Sequence, residues 1–224
     1  MKIIHPHVRF YLLTAAVSLM VGCILLMLSG KVEGHLFVNS MHTPFLDFFF
    51  TYFTHVGGGT FVVVGSIALS ILSWKRFGPS VLALGLFNLI LVAGITQSLK
   101  HLVFSDALRP VGFIGRKFLH TVPGVELHTS NSFPSGHTAA GFAFFAFVAF
   151  LYGKRWWAQV VFALAAILVG YSRIYLSQHF LEDAVFGGTI GLVCFVLSYV
   201  SISNLKFGKA LKQINLRSSE TSST

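Results

Sequence analysis

The sequence predicts an all-α integral membrane protein, a bundle of six transmembrane helices, and three observations support this fold class. The mean hydropathy is +0.76, and 54% of the 224 residues are hydrophobic. Only 10% of the residues are charged, against about 25% in soluble domains. The chain also contains six apolar segments of about 20 residues, the length that a helix needs to cross a bilayer. Because backbone groups in lipid must pair within the chain, these segments are predicted to be helical.

The apolar segments define one predicted domain over residues 1–205. The six predicted spans are 10–29, 57–74, 79–98, 136–153, 156–174 and 183–202. The remaining residues, 206–224, are polar and end in SSETSST, so they are predicted to form a partly disordered cytoplasmic tail.

The first span contains Met20-Val21-Gly22-Cys23, which faintly resembles a lipoprotein cleavage site. The apolar run continues past it through ILLML, and this favours a span that is retained. Cys23 and Cys194 both lie in the middle of spans, and we expect small buried apolar residues there rather than a disulfide or metal ligands.

The distribution of charge predicts the orientation of the bundle. The chain has a net charge of +9. If the N-terminus is cytoplasmic, the segments on that side hold ten basic residues and one acid, whereas the opposite side holds six of each. Lys and Arg accumulate on the cytoplasmic side of membrane proteins, so both termini are predicted to be cytoplasmic. The basicity then reflects anionic lipid headgroups, and no nucleic-acid partner is expected.

This orientation places three connecting segments on the outer face, at about 30–56, 99–135 and 172–183. The first of them contains PFLDFFFTYF, residues 44–53. Two interpretations remain open for it: an aromatic-rich helix lying along the membrane interface, or a segment that either extends the second span or packs on its neighbours.

The second outer segment ends in N-S-F-P-S-G-H-T, directly before an apolar helix. Free N–H groups and the positive dipole end of a helix attract anions, and Gly136 allows a ligand to approach the backbone. Lys100, Arg109 and Arg173 are three cations predicted on the same face, and an arginine fork suits phosphate oxygens. In isolation, each of these basic residues would be more typical of an interfacial anchor.

The third outer segment contains His179 and Asp183, four residues apart. On a helix they would share one face and touch. A carboxylate on one ring nitrogen of a histidine leaves the other nitrogen free as a nucleophile. The alternative is an ordinary polar pair at the start of a helix.

Taken together, these segments resemble the signature of the type 2 phosphatidic acid phosphatase superfamily of membrane lipid phosphatases. That signature is a Lys followed by Arg-Pro, then Pro-Ser-Gly-His, then Ser-Arg-x5-His-x3-Asp. The second part matches Pro134-Ser135-Gly136-His137, and the third matches Ser172-Arg173, His179 and Asp183. The first part departs from the signature, because eight residues separate Lys100 from Arg109 where the family usually has six.

The resemblance implies a role for each matching residue. His179 would attack phosphorus and form a phosphohistidine, Asp183 would orient it, and His137 would protonate the leaving oxygen and then activate water. The phosphoryl oxygens would bind to Lys100, Arg109, Arg173, Ser135 and Gly136. No metal or other cofactor is expected, since three cations supply the charge stabilisation. We also expect these cations to keep His179 neutral in the empty site.

The function implied is release of phosphate from a phosphorylated lipid at the outer face of a membrane, the bacterial inner membrane being favoured. Undecaprenyl diphosphate, phosphatidylglycerol phosphate, phosphatidic acid and a lipid A phosphate all fit as substrates. Two alternatives stay open: a carrier or binder of phosphorylated lipid without catalysis, and a transferase with an acceptor other than water.

Other polar residues are assigned no catalytic role. His101, His120 and His128 in the second outer segment are expected to be bystanders, and Glu182 is expected to be a solvated residue at a helix start. The Gly57-Gly58-Gly59 run is attributed to tight packing, with a second phosphate cradle as the alternative.

Overall fold

A computed structural model describes residues 5–211, in which helices, turns and loops occur and no β-strand is present. This confirms the all-α prediction. The α-helices are α1 (Arg9–Ser29), α2 (Lys31–Ser40), α3 (Pro44–Phe53), α4 (Gly59–Leu72), α5 (Trp74–Phe77), α6 (Pro79–Ser98), α7 (Pro110–Phe113), α8 (Gly136–Tyr152), α9 (Trp156–Tyr175) and α10 (Leu181–Asn204).

All six predicted spans are helical, in α1, α4, α6, α8, α9 and α10. Four continuous helices are long and apolar enough to cross a membrane, and they are Pro6–Ser29, Pro79–Val103, Trp156–Tyr175 and Leu181–Asn204. A fifth span results if the bent pair formed by α3 and α4 crosses as one unit. The remaining apolar helix, α8, has only 17 residues. The described part of the chain therefore contains four or five candidate spans, and the count of six and the side of the termini stay predictions.

The aromatic segment Pro44–Phe53 combines features of both interpretations. It forms a separate helix, capped by Thr43, whose side chain accepts a hydrogen bond from the N–H of Leu46. A 3-10 turn at Thr54–Gly57 then joins it to α4 at an angle of 57°. Phe50 is buried beside Tyr171 and Tyr175 of α9. The segment is thus a distinct helix that both bends away from the second span and packs on a neighbour.

The bundle is built around α8, and α1 lies at its edge. Eleven residues of the 17 in α8 are buried, whereas only three of the 21 in α1 are. Both helices are apolar on every side, so the sequence pattern does not distinguish them. In α1 the exposed apolar side chains are those that a surrounding bilayer would cover.

Glycines on α10 bring its backbone against that of α8. A Cβ at Gly187 would lie 2.5 Å from the carbonyl oxygen of Ser135, and one at Gly191 would lie 2.4 Å from that of Ala139. Small residues allow such close contact between membrane helices. This contact fixes the start of α8 against the start of α10, the two helix ends that carry the candidate site.

The structure describes the first six residues of the predicted tail. Residues 206–211 form a 3-10 helix, Lys206–Leu211, and Leu211 is fully buried. The rest of the predicted tail, residues 212–224, lies outside the described residues. Cys194 is buried as expected, but Cys23 is exposed. The prediction for Cys23 is wrong because α1 lies at the perimeter, where mid-span side chains face outward.

Candidate active site

The three sequence segments meet at one end of a cavity of about 800 Å³. Six of the eight predicted site residues line it, namely Lys100, Arg109, Gly136, His137, Arg173 and His179. The other two, Ser135 and Asp183, are buried and do not line the cavity. The cavity continues from this polar end between α4, α6 and α8.

His179 lies in the turn between α9 and α10, and not on a helix. The α9 helix ends at Tyr175, the backbone turns at Ser177 with a φ of +52°, and α10 begins only at Leu181. The prediction of one shared helix face for His179 and Asp183 is therefore wrong. Their contact is nonetheless present, with Nδ1 of His179 3.3 Å from Oδ2 of Asp183. It forms because the turn folds back over the first turn of α10.

The Asp183 carboxylate determines which nitrogen of His179 carries the proton. Its Oδ2 accepts hydrogen bonds from the N–H of Phe180, at 2.9 Å, and from the hydroxyl of Ser132. Because a carboxylate only accepts, the Nδ1 of His179 that faces it must be the donor. The lone pair of His179 is then on Nε2, on the ring edge away from Asp183.

Ser132 belongs to the site and was missed by the sequence reasoning. It lies 51 residues before Asp183 in the chain, and the signature motif begins only two residues after it. A serine in a loop of mixed composition carries no sequence signal of this contact. Only the folded loop shows that the hydroxyl of Ser132 donates a hydrogen bond to the carboxylate of Asp183.

His179 is neutral in this environment. Burial and the nearby charges of Arg109, Arg173 and Lys100 hold the pKa of His179 well below its ordinary value. Both effects disfavour a second positive charge on the ring. The expectation of a neutral imidazole in the empty site agrees with this direction.

The two arginines are held in place by uncharged partners. Arg109 donates from Nε to the carbonyl of Ser130, and from Nη1 to the carbonyl and side-chain oxygens of Gln178. Arg173 donates from Nη1 to Thr54 at 2.7 Å, and its buried Nε has no partner among the described residues. Neither guanidinium forms an ion pair in this part of the chain. Their charge is therefore available to an anion in the cavity.

Lys100 reaches the same cavity in spite of the longer spacing to Arg109. The last turn of α6 changes into a π-helical turn, Leu99–Val103, before the chain enters the loop. The eight residues between Lys100 and Arg109 run through this wider turn and the loop that follows.

His137 is positioned by close packing with the glycine run before α4. A Cβ at Gly57 would lie 2.7 Å from the carbonyl oxygen of His137 and 2.4 Å from Cγ1 of Val169. A Cβ at Gly58 would lie 3.7 Å from Nε2 of the His137 ring. The glycines make room for this histidine, which agrees with the packing interpretation of the run.

Ser135 begins the helix that carries His137. Its hydroxyl contacts the hydroxyl of Thr138 at 2.7 Å and accepts a hydrogen bond from the N–H of Thr138, as an N-cap does. Its side chain is fully buried and is not among the residues that line the cavity. Gly136, in contrast, lines the cavity and has open space where a Cβ would be.

The loop that follows α7 closes one side of the site through Gln178. Beside its bond with Arg109, Gln178 donates from Nε2 to the carbonyl of Glu126 at 2.7 Å. Gly124, Glu126 and His128 line the cavity. The sequence reasoning assigned no role to Gln178, although it precedes the candidate nucleophile directly.

A buried polar cluster supports the turn of His179 from behind. The hydroxyl of Ser177 contacts Nε2 of His35 at 3.3 Å and accepts from Nδ2 of Asn39 at 3.2 Å. Asn39 also binds both backbone groups of His120. His35 is fully buried, and burial lowers its pKa to about 4. Sequence reasoning did not identify this cluster, because α2 is remote from the motifs.

The remaining polar residues have partners of their own. His120 contacts Asp47 at 3.0 Å and stacks on His42, so it is a structural residue. Glu182 is not simply solvated, because it forms a 2.6 Å ion pair with Lys31. His128 is half-exposed and lies 3.9 Å from Glu126.

Known proteins resemble the chain in sequence and in fold. Phosphatidylglycerophosphatase B of Bacillus subtilis is 26% identical over 164 residues, covering 69% of this chain and 74% of the relative. A lipid A 4'-phosphatase of Bacteroides thetaiotaomicron is 28% identical over 169 residues, covering 70% and 69%. In fold, the crystal structure of a transmembrane phosphatidylglycerolphosphate phosphatase from Bacillus subtilis matches with a TM-score of 0.63. That match covers 88% of this chain and 98% of the other at 20% identity.

A comparison with protein-family models identifies the family of the chain. The model of the PAP2 superfamily matches residues 80–207, more than half of the chain. The matched region contains all eight predicted site residues. The chain is therefore a multi-pass membrane protein of the PAP2 superfamily and a lipid phosphatase.

Proposed function

We propose that the protein hydrolyses a phosphate monoester or diphosphate of a lipid through a phosphohistidine on His179. One observation carries the proposal: a neutral His179, oriented by Asp183, lines a cavity together with His137 and three cations. A nucleophile, a proton donor and charge stabilisation thus share one enclosed space.

In the first step, the lone pair on Nε2 of His179 attacks phosphorus and forms a P–N bond. The bond between phosphorus and the lipid oxygen breaks, and His137 gives that oxygen a proton. The His179 ring becomes positively charged during the attack. Asp183, which already accepts from Nδ1, stabilises this charge and keeps the ring in line.

In the second step, water attacks the phosphohistidine and the P–N bond breaks. His137, having lost its proton in the first step, takes one from the water. Inorganic phosphate is released, and His179 returns to its neutral form. Each proton that His137 gives is thus recovered within one turnover.

Charge stabilisation is assigned to Lys100, Arg109 and Arg173. Neither guanidinium group has a carboxylate partner in the described part of the chain, and both line the same cavity as His179. The N–H groups at the start of α8, near Gly136, add a further anion site. With three cations in place, the reaction is proposed to need no metal ion. Ser135 then contributes by capping α8, and direct contact of its hydroxyl with phosphate remains a prediction.

The substrate is proposed to be a membrane lipid presented sideways from the bilayer, with its phosphate at the polar end of the cavity. Phosphatidylglycerol phosphate and lipid A phosphates are supported by the names of the two relatives. The distribution of basic residues supports a site on the outer face, with both termini cytoplasmic.

The test is phosphate release by the purified protein in detergent, with EDTA present, from a panel of these lipid phosphates. His179→Ala is expected to reduce release to background while binding of the phosphorylated lipid persists. His101→Ala is the matched control, because His101 is exposed and lies outside the cavity wall. It is expected to retain wild-type turnover.

Four results would contradict parts of the proposal. Wild-type turnover by His179→Ala would exclude this nucleophile. Loss of all turnover on chelation would exclude the metal-free reaction. Binding of lipid phosphates without any release would indicate a carrier, and transfer to an added alcohol instead of water would indicate a transferase.

A further inference from the structure

Gln178 directly precedes the candidate nucleophile, and both ends of its side-chain amide have partners. Oε1 accepts a hydrogen bond from Nη1 of Arg109 at 3.0 Å, and Nε2 donates to the carbonyl oxygen of Glu126 at 2.7 Å. A guanidinium only donates and a carbonyl only accepts, so the reverse orientation of the amide is excluded. Gln178 is 3% exposed and lines the cavity. One buried side chain therefore joins a candidate phosphate-binding arginine to the loop at Glu126.

The contacts of Arg109 leave one edge of its guanidinium free for a ligand. A guanidinium has one N–H group on Nε and two on each terminal nitrogen. Nε donates to the carbonyl of Ser130 at 2.9 Å, and Nη1 donates to both the carbonyl and Oε1 of Gln178. Nη2 has no partner among the described residues, and it is not one of the unpartnered atoms that are closed off from solvent. Because Arg109 lines the cavity, the two N–H groups of Nη2 are the donors left for a phosphate there.

All three acceptors that hold Arg109 are uncharged oxygens. They fix the plane of the guanidinium without cancelling its charge, which a carboxylate in the same place would do. The acid that belongs to this network, Glu126, contributes its backbone carbonyl, and its side chain is 85% exposed. Arg109 is 8% exposed and forms no ion pair in the described part of the chain. A buried cation with neutral partners keeps its whole charge for an anion.

We propose that Gln178 is a positioning residue for phosphate binding, whose neutral amide fixes the guanidinium of Arg109 so that Nη2 and an uncancelled positive charge face the phosphoryl group. The inference rests on the proposed function, because it takes Arg109 as part of the phosphate site. It adds a requirement that the residue before the candidate nucleophile be a neutral hydrogen-bond acceptor.

The experiment compares Gln178→Glu and Gln178→Leu with the wild-type protein in detergent at pH 7. It measures the dissociation constant of inorganic phosphate and the unfolding temperature of each protein. Both variants lose the hydrogen bond that Nε2 donates to Glu126, so the loss of this loop contact is common to them. They differ beside Arg109, where glutamate places a negatively charged acceptor and leucine places no acceptor.

Gln178→Glu is expected to bind phosphate more weakly than Gln178→Leu, although glutamate resembles glutamine in size. Its carboxylate would pair with Arg109, and the dissociation constant should rise at least about thirtyfold over wild type. Gln178→Leu keeps the charge of Arg109 and the two backbone acceptors, so its dissociation constant should rise about fivefold. The unfolding temperature should be higher for Gln178→Glu, because the carboxylate replaces the lost partner of the guanidinium.

The opposite order of the two measurements separates positioning from a merely structural role, which would give the same order in both. Turnover provides a second distinction. The phosphate charge that Arg109 binds is present in the substrate before the reaction, so KM for the lipid phosphate should rise in Gln178→Glu by more than kcat falls. A smaller folded fraction would lower the apparent kcat and leave KM unchanged.

Gln159→Glu and Gln159→Leu are the matched controls. Gln159 is also 3% exposed, and its amide makes three hydrogen bonds with backbone groups, those of Pro6, Phe10 and Gly153. Gly153 follows the last residue of α8, so this glutamine lies at the end of the helix remote from the candidate site, and it does not line the cavity. Both controls are expected to lower the unfolding temperature and to keep the phosphate dissociation constant within about twofold of wild type.

Phosphate binding by Gln178→Glu as tight as that by Gln178→Leu would overturn the inference, and so would unchanged binding in both variants or no binding by the wild-type protein. Equal weakening in the Gln159 controls would assign the effect to general destabilisation and overturn it as well. Absence of phosphate release by the wild-type protein would count against the proposed function alone. Phosphate binding is measured without turnover, so the order of the dissociation constants still decides the role of Gln178.

Discussion

The two histidines proposed to act in catalysis, His179 and His137, are held by different physical means. His179 lies in a turn whose conformation depends on hydrogen bonds, from Asp183 in front and from Ser177, His35 and Asn39 behind. His137 lies in the first turn of α8, where the closely packed glycine backbone before α4 sets its position. Hydrogen bonds select the orientation and tautomer of a ring, whereas packing selects only its location.

This difference matches the proposed roles. A nucleophile must present one nitrogen in line with a P–O bond, so a ring fixed by a carboxylate is required. A proton donor and acceptor must alternate between two protonation states, so a strong fixed partner would hinder it. Substitutions that alter the hydrogen bonds of His179 should therefore lower turnover more than they lower stability. Substitutions that alter the packing around His137 should lower both turnover and stability.

Among substitutions that leave both histidines in place, the largest effect is expected for Asp183→Asn. The amide would present an N–H to Nδ1 or lose its own partners, and the proton of His179 would move to the attacking nitrogen. Turnover should fall by about three to four orders of magnitude, as in other oriented histidine sites. Phosphate release measures it.

Glu182→Gln is the control for that substitution. Glu182 neighbours Asp183, but it forms a partly exposed ion pair with Lys31, which contributes little. Its turnover should stay within about twofold of wild type. If Glu182→Gln and Asp183→Asn lost turnover to a similar extent, the loss could not be attributed to the orientation of His179 by Asp183.

An intermediate effect is expected for Gly57→Ala. The new methyl group would lie 2.7 Å from the carbonyl oxygen of His137 and 2.4 Å from Cγ1 of Val169, so the surrounding groups must shift. Overpacking of this kind costs about 1–3 kcal/mol, and displacement of His137 should lower turnover by at least about tenfold. Thermal unfolding in detergent and phosphate release measure the two effects.

Gly59→Ala is its matched control, two residues further along. A Cβ at Gly59 has no heavy atom within 4 Å, and the position begins a helix, where Ala is favoured over Gly. Unfolding temperature and turnover should be unchanged or slightly higher. If Gly57→Ala and Gly59→Ala were destabilised equally, close packing against His137 would be excluded as the cause of the destabilisation.

The last prediction concerns stability and not turnover, and it is a pH dependence that comes from His35. Burial lowers its pKa to about 4 from an ordinary value of 6.5. The folded protein therefore favours the neutral ring, and the unfolded chain binds a proton first as the pH falls. The contribution to stability is complete above pH 6.5 and is lost progressively toward pH 4, by up to roughly 3 kcal/mol.

Unfolding curves of wild type and His35→Gln between pH 7 and pH 4 measure this contribution as a difference. Other buried histidines, such as His5, also have a lowered pKa, and they cancel in the comparison. The difference between the two proteins should shrink with falling pH. A constant difference would show that His35 does not titrate in the predicted range.

The residues of the candidate site were largely predictable, because phosphate chemistry restricts the residue types. Three features occur in one order along the chain: cations, a helix start at Pro-Ser-Gly, and an acid–histidine pair. Few functions other than phosphate chemistry account for this combination. The supporting residues were not predictable. Ser132, Gln178 and Asn39 contact the site through loops whose paths depend on the whole bundle.

The contact between His179 and Asp183 shows how a correct pairing can be predicted for an incorrect reason. Spacing of four residues suggested a helix face, but the helix starts after His179, at Leu181. Asp183 instead caps that helix through the N–H of Phe180. This cap folds the turn over the carboxylate of Asp183, and the ring of His179 is thereby brought into contact with it.

The sequence by itself determined the membrane-embedded helical class, the residue types of the reaction and the neutral state expected for His179. These depend on hydropathy, motif composition and charge, which are local properties of the chain. Only the tertiary structure decided that α8 is central and α1 peripheral, and that a turn presents the candidate nucleophile. Those features depend on which surfaces face each other, and helices that are apolar on all sides do not encode their neighbours locally.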